Sequence, residues 1–210
     1  VPARARLTFP LFDQPDLKAR YALTLEVPQK WAVVANGREM GRATGNAASP
    51  GTERVEFAET PPLPSYLFSF VAGRFSVEVA TRNGREFRMF HRETDAARLA
   101  RNRDVLFDEH AAALTWLEAY TGLPYPWGKF DFVMIPAFQG SGMEHAGAIL
   151  YNAGLFLDAS ATQQQLLDRA TTVAHETAHM WFGNLVTMGW FSDVWMKEVF
   201  ANFMAGKIVN

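Results

Sequence analysis

The strongest constraint on the fold of this chain is a change in its hydrophobic period near residue 92. Before it, short apolar stretches are separated by turn dipeptides such as Asn36-Gly37 and Asn83-Gly84, which predicts an antiparallel β region. After it, apolar residues recur at helical spacing over residues 94–121. The sequence therefore predicts an α+β protein, with an N-terminal antiparallel β domain over residues 1–92 and a mainly helical domain with a small sheet over residues 93–210.

Further elements follow from the same patterns. A second helix opens at Thr162, where Gln165 completes a capping-box spelling, and it is predicted to run to Gly183-Asn184. A third helix is predicted from about Ser192. The predicted strands lie at residues 21–27, 31–34, 54–57, 66–71, 75–79, 87–90, 130–135 and 148–151.

Composition narrows the classes of function. The 210 residues carry a net charge of -2 and contain no cysteine. A balanced charge argues against a nucleic-acid surface and against a polybasic membrane patch. No stretch approaches the roughly 18 to 20 apolar residues that cross a bilayer, so no membrane span is expected in this segment. Any metal site has to use histidine, carboxylate or carbonyl ligands, and the compartment stays open because a chain without cysteine suits either side of a membrane.

The motif with the clearest chemical meaning is His-Glu-Thr-Ala-His at residues 175–179. Four residues turn a helix by about 400°, so the imidazoles of His175 and His179 point the same way and can share one metal ion. Glu176 flanks that face, where its carboxylate can sit beside a metal-bound water, and the spelling is that of a zinc metallopeptidase helix. A lone histidine is usually a satisfied core residue, but an apolar helix face does not accommodate two imidazoles without a partner.

A catalytic zinc site needs a third protein ligand and one open position. Glu198 is the candidate, because it lies nineteen residues after His179 on the third predicted helix. An apolar face is expected there from Trp195, Val199, Phe200, Phe203 and Met204. An isolated carboxylate on such a face is strongly unfavourable unless a cation pairs with it. The alternative is an exposed surface acid next to Lys197.

A second signal lies in residues 139–147, which read Gln-Gly-Ser-Gly-Met-Glu-His-Ala-Gly. Glycines on both sides of Glu144, between two predicted strands, allow another backbone to come close to its carboxylate. Taken alone, this pattern is more typical of a glycine-rich hairpin with a solvated glutamate.

Together these motifs resemble the aminopeptidase N (alanyl aminopeptidase) family of gluzincin zinc metallopeptidases, which also includes the leukotriene hydrolases. The most specific part is the His-Glu-x-x-His motif followed, after a gap of eighteen residues, by Glu198. The resemblance touches nearly the whole chain. Its matching stretches are residues 9–15, 62–75, 120–126, 143–144 and 175–203.

The resemblance implies the first part of a thermolysin-like catalytic domain with one zinc ion. It implies three zinc ligands, namely His175, His179 and Glu198. Glu176 would be the general base that deprotonates the attacking water. Glu144 would bind the free α-ammonium of a peptide substrate, which restricts hydrolysis to the N-terminal peptide bond. The backbone of Gly142 and Met143, with Ser141, would dock the peptide as an added strand.

The chain departs from the family pattern at three places. The family's loop reads Gly-x-Met-Glu-Asn, but here His145 stands where the family has asparagine, next to Glu144. The family's second amine-binding acid or amide falls at Val1, whose side chain cannot bind an ammonium. The family's transition-state tyrosine would lie beyond the last residue given. We therefore expect the sequence to be an excerpt that is nearly inactive alone.

The leading hypothesis is a zinc-dependent aminopeptidase that acts on peptides with a free N-terminus. A thermolysin-type zinc endopeptidase is the nearest alternative, and Glu144 separates the two because an endopeptidase has no need to bind an amine. A catalytically silent zinc module that binds peptides is a third possibility. Glu176 argues against it, because a structural zinc site requires no acid at that position. The preferred N-terminal residue and the oligomeric state do not follow from the sequence.

Overall fold

A computed structural model describes residues 5–45 and 49–210, and its N-terminal part is antiparallel β structure. Five strands form a three-stranded sheet in the order β1-β4-β3 and a two-stranded sheet of β2 and β5. A small apolar core that includes Val33, Val55 and Phe57 lies against these strands. The strands are β1 (Thr24–Pro28), β2 (Ala32–Ala35), β3 (Glu39–Thr44), β4 (Thr52–Phe57) and β5 (Phe70–Gly73). The position at Val1 that concerns the amine site lies outside the described residues.

Two features of this region differ from the sequence prediction. Strand β3 was not predicted, because its residues are mostly exposed and show no apolar alternation. The stretch 66–71 was predicted as one strand, but it begins with a 3-10 turn at Ser65–Leu67 and becomes strand only at β5. Pro64 precedes that turn, and its carbonyl accepts a hydrogen bond from the amide of Leu67.

A five-stranded mixed sheet forms the centre of the molecule, in the order β6-β7-β8-β10-β9. Strands β7 and β8 are parallel, as are β8 and β10, and the other neighbours are antiparallel. The parallel pair β7/β8 is possible because a helix connects the two strands. The strands are β6 (Ser76–Arg82), β7 (Arg85–His91), β8 (Phe130–Ile135), β9 (Gly142–Met143) and β10 (Ala148–Asn152).

This sheet includes strands from both sides of residue 92. The hairpin β6-β7 had been assigned to the N-terminal domain, yet β7 is hydrogen-bonded to β8 through Phe87–Phe90 and Phe130–Val133. The division into domains 1–92 and 93–210 therefore stays a prediction, and the sheet continues across it. The α+β class itself is confirmed, with antiparallel sheets first and then helices on a mixed sheet.

Within the described residues, three α-helices complete the fold: α1 (Ala96–Thr121), α2 (Gln163–Ala178) and α3 (Val194–Val209). Asp95 caps α1 by accepting hydrogen bonds from two backbone amides, and Gly122 ends it in the left-handed conformation with φ 69°. The predicted capping box of Thr162 and Gln165 at the start of α2 is confirmed. Helix α2 ends at Ala178 rather than at Gly183-Asn184, because the chain continues from His179 in successive tight turns.

Helix α3 packs differently from the prediction. Its buried residues are Lys197, Ala201, Met204 and Ala205. Of the five apolar residues expected on its packed face, only Met204 is buried, and Trp195, Val199, Phe200 and Phe203 are exposed. The helix is apolar nearly all round, so its sequence does not indicate which side meets α2. Within the described part of the chain, none of the helices combines the length and the apolar character needed to cross a membrane.

Candidate active site

The three predicted metal ligands lie together between α2 and α3. His175 lies in the last turn of α2 and His179 caps the C-terminal end of that helix, and their Nε2 atoms are 3.0 Å apart. One carboxylate oxygen of Glu198, Oε2, lies 3.2 Å from the first of these nitrogens and 3.4 Å from the second. Zinc bonds of about 2.0 to 2.1 Å in a tetrahedron place ligand atoms about 3.3 Å apart, so these separations match one face of such a site.

The other nitrogen of each ring has a hydrogen-bond acceptor. His179 Nδ1 lies 2.9 Å from the carbonyl oxygen of Phe182, and His175 Nδ1 lies 3.0 Å from Oδ1 of Asn202. A carbonyl oxygen only accepts, so Nδ1 carries the hydrogen and the neutral ring presents a lone pair at Nε2. Two such lone pairs and a carboxylate oxygen then face one another, and a single proton can bridge only one of the three contacts. A metal cation satisfies all three.

These partners orient the two rings toward each other. Asn202 and Asp193 were the sequence candidates for this role, and only Asn202 contacts a histidine among the residues described. The carbonyl of Phe182 was missed, because a backbone group leaves no signature in the sequence. It reaches His179 because the chain turns tightly after α2, where the amide of Phe182 bonds to the carbonyl of Ala178.

Glu176 lies beside the three ligands and is almost completely buried. Burial, and next the negative charge of Glu144, raise the pKa of its carboxyl group to about 8. Its Oε2 atom has no hydrogen-bond partner among the described residues. Gly142 lies directly against the carboxyl group, and a Cβ atom at that position would collide with it. A buried acid with a free oxygen and a pKa near neutrality suits proton transfer.

Glu144 is buried rather than solvated, with 3% of its surface exposed. The solvated glutamate of the hairpin interpretation is therefore wrong, whereas the segment does pair antiparallel with the next strand. Burial raises the pKa of Glu144, but the positive charge that His179 carries when its ring is protonated in the metal-free protein, together with that of Lys197, outweighs this effect and holds the pKa below its usual value. The Nδ2 group of Asn184 donates to the backbone carbonyl of Glu144 at 2.8 Å, which ties this loop to the turn after α2.

Lys197 is the residue of the site that sequence reasoning missed. Its Nζ atom lies 2.5 Å from Oε1 of Glu144 and 2.5 Å from Oε1 of Glu198. The sequence shows only that Lys197 precedes Glu198, which is equally compatible with an ion pair on the surface. Its contact with Glu144 joins α3 to a loop more than fifty residues away, and no local pattern indicates it. Hydrogen bonds with His175 and His179 lower the pKa of Glu198, and Lys197 adds to the effect.

The glycine segment forms the edge of the central sheet. Gly142 and Met143 make up β9, which pairs with β10 on one side and ends the strand order on the other. An edge strand has unpaired backbone groups to which an extended peptide can bind. His145 Nδ1 lies 3.1 Å from the carbonyl of Leu67, and burial lowers the pKa of His145. The ring next to Glu144 is therefore neutral and adds no cation to the site.

Two neighbouring cavities open at these residues. A polar cavity of about 380 Å³ contains the ligands and both buried acids. A second, largely apolar cavity of about 630 Å³ shares Met143, Lys197 and Glu198 with the first. Its other lining side chains include Phe9, Tyr66, Phe68, Met188 and Phe191. The site thus offers a charged centre beside a space suited to an apolar side chain.

An α+β fold that presents a His-Glu-x-x-His helix and a carboxylate from the next helix defines the class of metallopeptidase centres. Comparison with known families agrees. Residues 105–210 match the family model described as peptidase family M1 domain, and residues 1–67 match the peptidase M1 N-terminal domain. The chain belongs to peptidase family M1.

Curated relatives carry aminopeptidase names. The chain is 36% identical over 204 residues to aminopeptidase M1-C of Oryza sativa subsp. japonica, covering 96% of this chain and 22% of that protein. It is 34% identical over 205 residues to aminopeptidase N of Homo sapiens, with 96% and 21% covered. For aminopeptidase N of Streptomyces lividans the identity is 32% over 203 residues, with 95% and 22% covered. The chain spans about a fifth of the length of these relatives.

Proposed function

We propose that this chain carries the zinc-binding part of an aminopeptidase that hydrolyses the N-terminal peptide bond of peptides. One observation carries the proposal: two imidazole lone pairs and a carboxylate oxygen face one another within 3.4 Å, with the buried Glu176 beside them. The donor set of two histidines and one glutamate fits zinc, which prefers nitrogen and oxygen ligands in this number when it serves in catalysis. The names of the relatives support aminopeptidase chemistry.

Metal binding and proton transfer are assigned to different residues of the site. When bound by His175, His179 and Glu198, zinc supplies Lewis acidity toward the scissile carbonyl and toward the attacking water. Glu176 takes the proton of that water at its free Oε2 atom and delivers it to the leaving amine nitrogen. Burial raises the pKa of this carboxyl group in the metal-free protein, which makes its carboxylate a stronger base, and a dication held beside it would lower that pKa again.

Substrate binding is assigned to the edge strand and the acid that follows it. The backbone of Ser141, Gly142 and Met143 docks the peptide as an additional strand beside β9. Glu144 comes directly after that strand and faces the metal ligands, since one of its oxygens lies within 4.8 Å of ligand atoms of Glu176 and His179. An ammonium held there places only the first peptide bond within reach of the metal.

A zinc endopeptidase is the second candidate, and one observation favours it. Lys197 already contacts Glu144, so the carboxylate assigned to the substrate amine has a cation beside it. An enzyme that does not bind amines tolerates that contact without loss. The two candidates therefore differ in whether a free amine on the substrate matters.

The deciding experiment uses the full-length protein. We would measure its zinc content and its hydrolysis of a panel of aminoacyl reporter substrates, each with its N-acetylated counterpart as control. We expect one zinc ion per chain and hydrolysis of the free-amine substrates only. Equal hydrolysis of both members of each pair would support the endopeptidase, and zinc without hydrolysis would support a silent binding module.

A further inference from the structure

Lys197 occupies an unusual position for a lysine. Its side chain is nine-tenths buried, and its Nζ atom lies between two carboxylates, those of Glu144 and Glu198, at 2.5 Å from each. The stem of the side chain packs close to Gly183, and the ammonium lies 5.6 Å from the centroid of the Tyr66 ring. Both contacts fix the ammonium inside the site, where a flexible surface lysine would turn toward water.

The ammonium of Lys197 occupies one of two neighbouring sites that are suited to a cation. Among the described residues, two sets of three side chains bring ligand atoms within 4.8 Å of one another. The first set is His175, His179 and Glu198, where Lys197 contacts only Oε1 of Glu198 and leaves Oε2 facing the two imidazoles. The second set is Glu144, Glu176 and His179, and here Lys197 supplies a positive charge at Glu144. The first set of side chains is therefore available to a metal ion, whereas the ammonium of Lys197 already pairs with Glu144 of the second set.

A count of formal charges shows the consequence for substrate binding. Even with the carboxyl groups of Glu144, Glu176 and Glu198 all ionised, three negative charges face the one ammonium of Lys197, and a dication would bring the site to neutrality. A substrate ammonium that approaches Glu144 then enters a site without net negative charge and lies close to another ammonium. Like charges brought together in a partly desolvated site oppose binding.

From this arrangement we infer that Lys197 determines amine recognition, because its ammonium competes with the α-ammonium of the substrate for the carboxylate of Glu144. The inference rests on the proposed aminopeptidase function and deepens it. A peptide with a free N-terminus has to share Glu144 with Lys197 or displace it, so the wild-type protein binds amines weakly. The preference for free over blocked N-termini is limited by this residue.

Calorimetric titration of the full-length, zinc-loaded protein tests the inference directly. The probes are 3-methylbutylamine, which carries an ammonium and cannot be hydrolysed, and its N-acetyl derivative, which carries no charge. In Lys197→Met, the stem is retained and the charge removed. We expect the Kd of the amine to fall about tenfold, equivalent to about 1.4 kcal/mol, while the Kd of the acetylated probe changes by less than about twofold.

Matched variants separate competition from other roles. Lys207→Met removes a lysine from the same helix outside the site, where its ammonium lies over the rings of Tyr120 and Phe203, and it should leave amine binding unchanged. Lys197→Arg keeps the charge and should bind the amine as weakly as the wild type. In a Glu144→Gln background, Lys197→Met should tighten amine binding much less, because the carboxylate for which the two ammoniums compete is absent. Where Lys197→Met fails to fold, Lys197→Gln retains a neutral donor toward Glu144 and serves in its place.

The outcomes are distinct. Tighter amine binding in the uncharged variants supports competition. Unchanged or weaker amine binding there overturns it and makes Lys197 a residue that holds Glu144 in position. Failure of the proposed function gives a different result, because the wild-type protein would then hydrolyse acetylated and free substrates equally, whatever the amine titration shows.

Discussion

Two histidine sites lie on neighbouring helices of this molecule, and they differ in what meets the ring nitrogens. His110 on α1 is completely buried, with Nδ1 2.7 Å from the carbonyl of Leu106 and Nε2 3.0 Å from the hydroxyl of Tyr151. Its ring stacks on Phe132 with 4.2 Å between centroids. On α2, His175 and His179 also have a partner at each Nδ1, but their Nε2 atoms face each other.

The difference separates a histidine with a structural role from a pair whose geometry suits a ligand. Every polar atom of His110 has a partner inside the protein, so the residue contributes to the core as it stands. In the pair of His175 and His179, the two Nε2 atoms and the carboxylate of Glu198 face one another, an arrangement that a cation between them would satisfy. Burial is similar for His110 and His179, so burial alone does not identify function. The arrangement of the imidazole lone pairs distinguishes the two sites.

The largest expected effect is on the zinc affinity of the site formed by His175 and His179. His179→Gln should weaken zinc binding by more than about 100-fold, because it removes one of three ligands, while its effect on folding should be modest. His110→Gln should do the opposite, with unchanged zinc affinity and a loss of about 1 to 3 kcal/mol in the free energy of unfolding. Competition with a fluorescent chelator and denaturant titration measure the two quantities. Equal zinc affinity in His179→Gln and wild type would contradict the assignment.

Glu176→Gln tests the acid beside the functional pair. We expect kcat to fall by about two orders of magnitude or more, since the amide cannot accept a proton, with zinc content unchanged. Steady-state kinetics with metal analysis measures both. Glu118→Gln is the control, because that carboxylate pairs with Arg85 away from the site. Full activity in Glu176→Gln would remove the residue from the mechanism.

Asn202→Ala removes the hydrogen-bond partner that orients His175 and leaves the three metal ligands in place. Loss of the acceptor at His175 Nδ1 should weaken zinc binding by about 10- to 100-fold. Asp193→Asn should leave zinc affinity unchanged, because Asp193 makes no hydrogen bond to either histidine among the residues described. If both variants bound zinc like the wild type, the contact with Asn202 would have no orienting role.

Glu144→Ala tests whether the carboxylate of Glu144 binds the substrate ammonium or supports the metal site. We expect KM for free-amine peptides to rise about tenfold, because the substrate ammonium loses its carboxylate, while zinc content stays the same. Kinetics on matched free and acetylated substrates provide the measurement. An unaltered KM would contradict the assigned role, and loss of zinc would show that Glu144 supports the metal.

The sequence predicted the parts of this site that depend on local periodicity. The spacing of His175, Glu176 and His179 on one helix determines their directions, so their arrangement follows from helix geometry. Contacts between distant elements do not follow in this way. Lys197 was missed because its partner Glu144 lies on another element, and the carbonyl of Phe182 was missed because every residue has one.

For the fold, too, the features that depend on local sequence pattern were predicted and those that depend on distant contacts were not. Strand β8 was predicted with its observed bounds, because a run of apolar residues indicates a buried strand. The packed side of α3 was not predicted correctly, since apolar residues surround the helix and only its neighbours decide which side is buried. The pairing of β7 with β8 across residue 92 also depends on a long-range contact. Local pattern thus determines elements, and tertiary contact determines how they are combined.

The smallest expected effect concerns the structural histidine and depends on pH. Burial lowers the pKa of His110 from 6.5 to about 4. Between these values the unfolded chain binds more protons at this residue than the folded chain, so stability is lost as pH falls from 6.5 toward 4. From about pH 7 to about pH 5.5, His110 should account for a loss of about 1 kcal/mol in the free energy of unfolding.

Metal-free wild type and metal-free His110→Gln provide the test, since loss of zinc at low pH then contributes to neither. Both proteins contain the same other titrating groups, so the difference between their pH dependences isolates His110. The variant should be less stable at neutral pH, but its stability should decline less by about 1 kcal/mol over the interval. Parallel declines would mean that His110 takes up its proton in the folded protein as easily as in the unfolded chain. Burial would then not keep the His110 ring neutral, and the distinction between the two histidine sites would lose its basis.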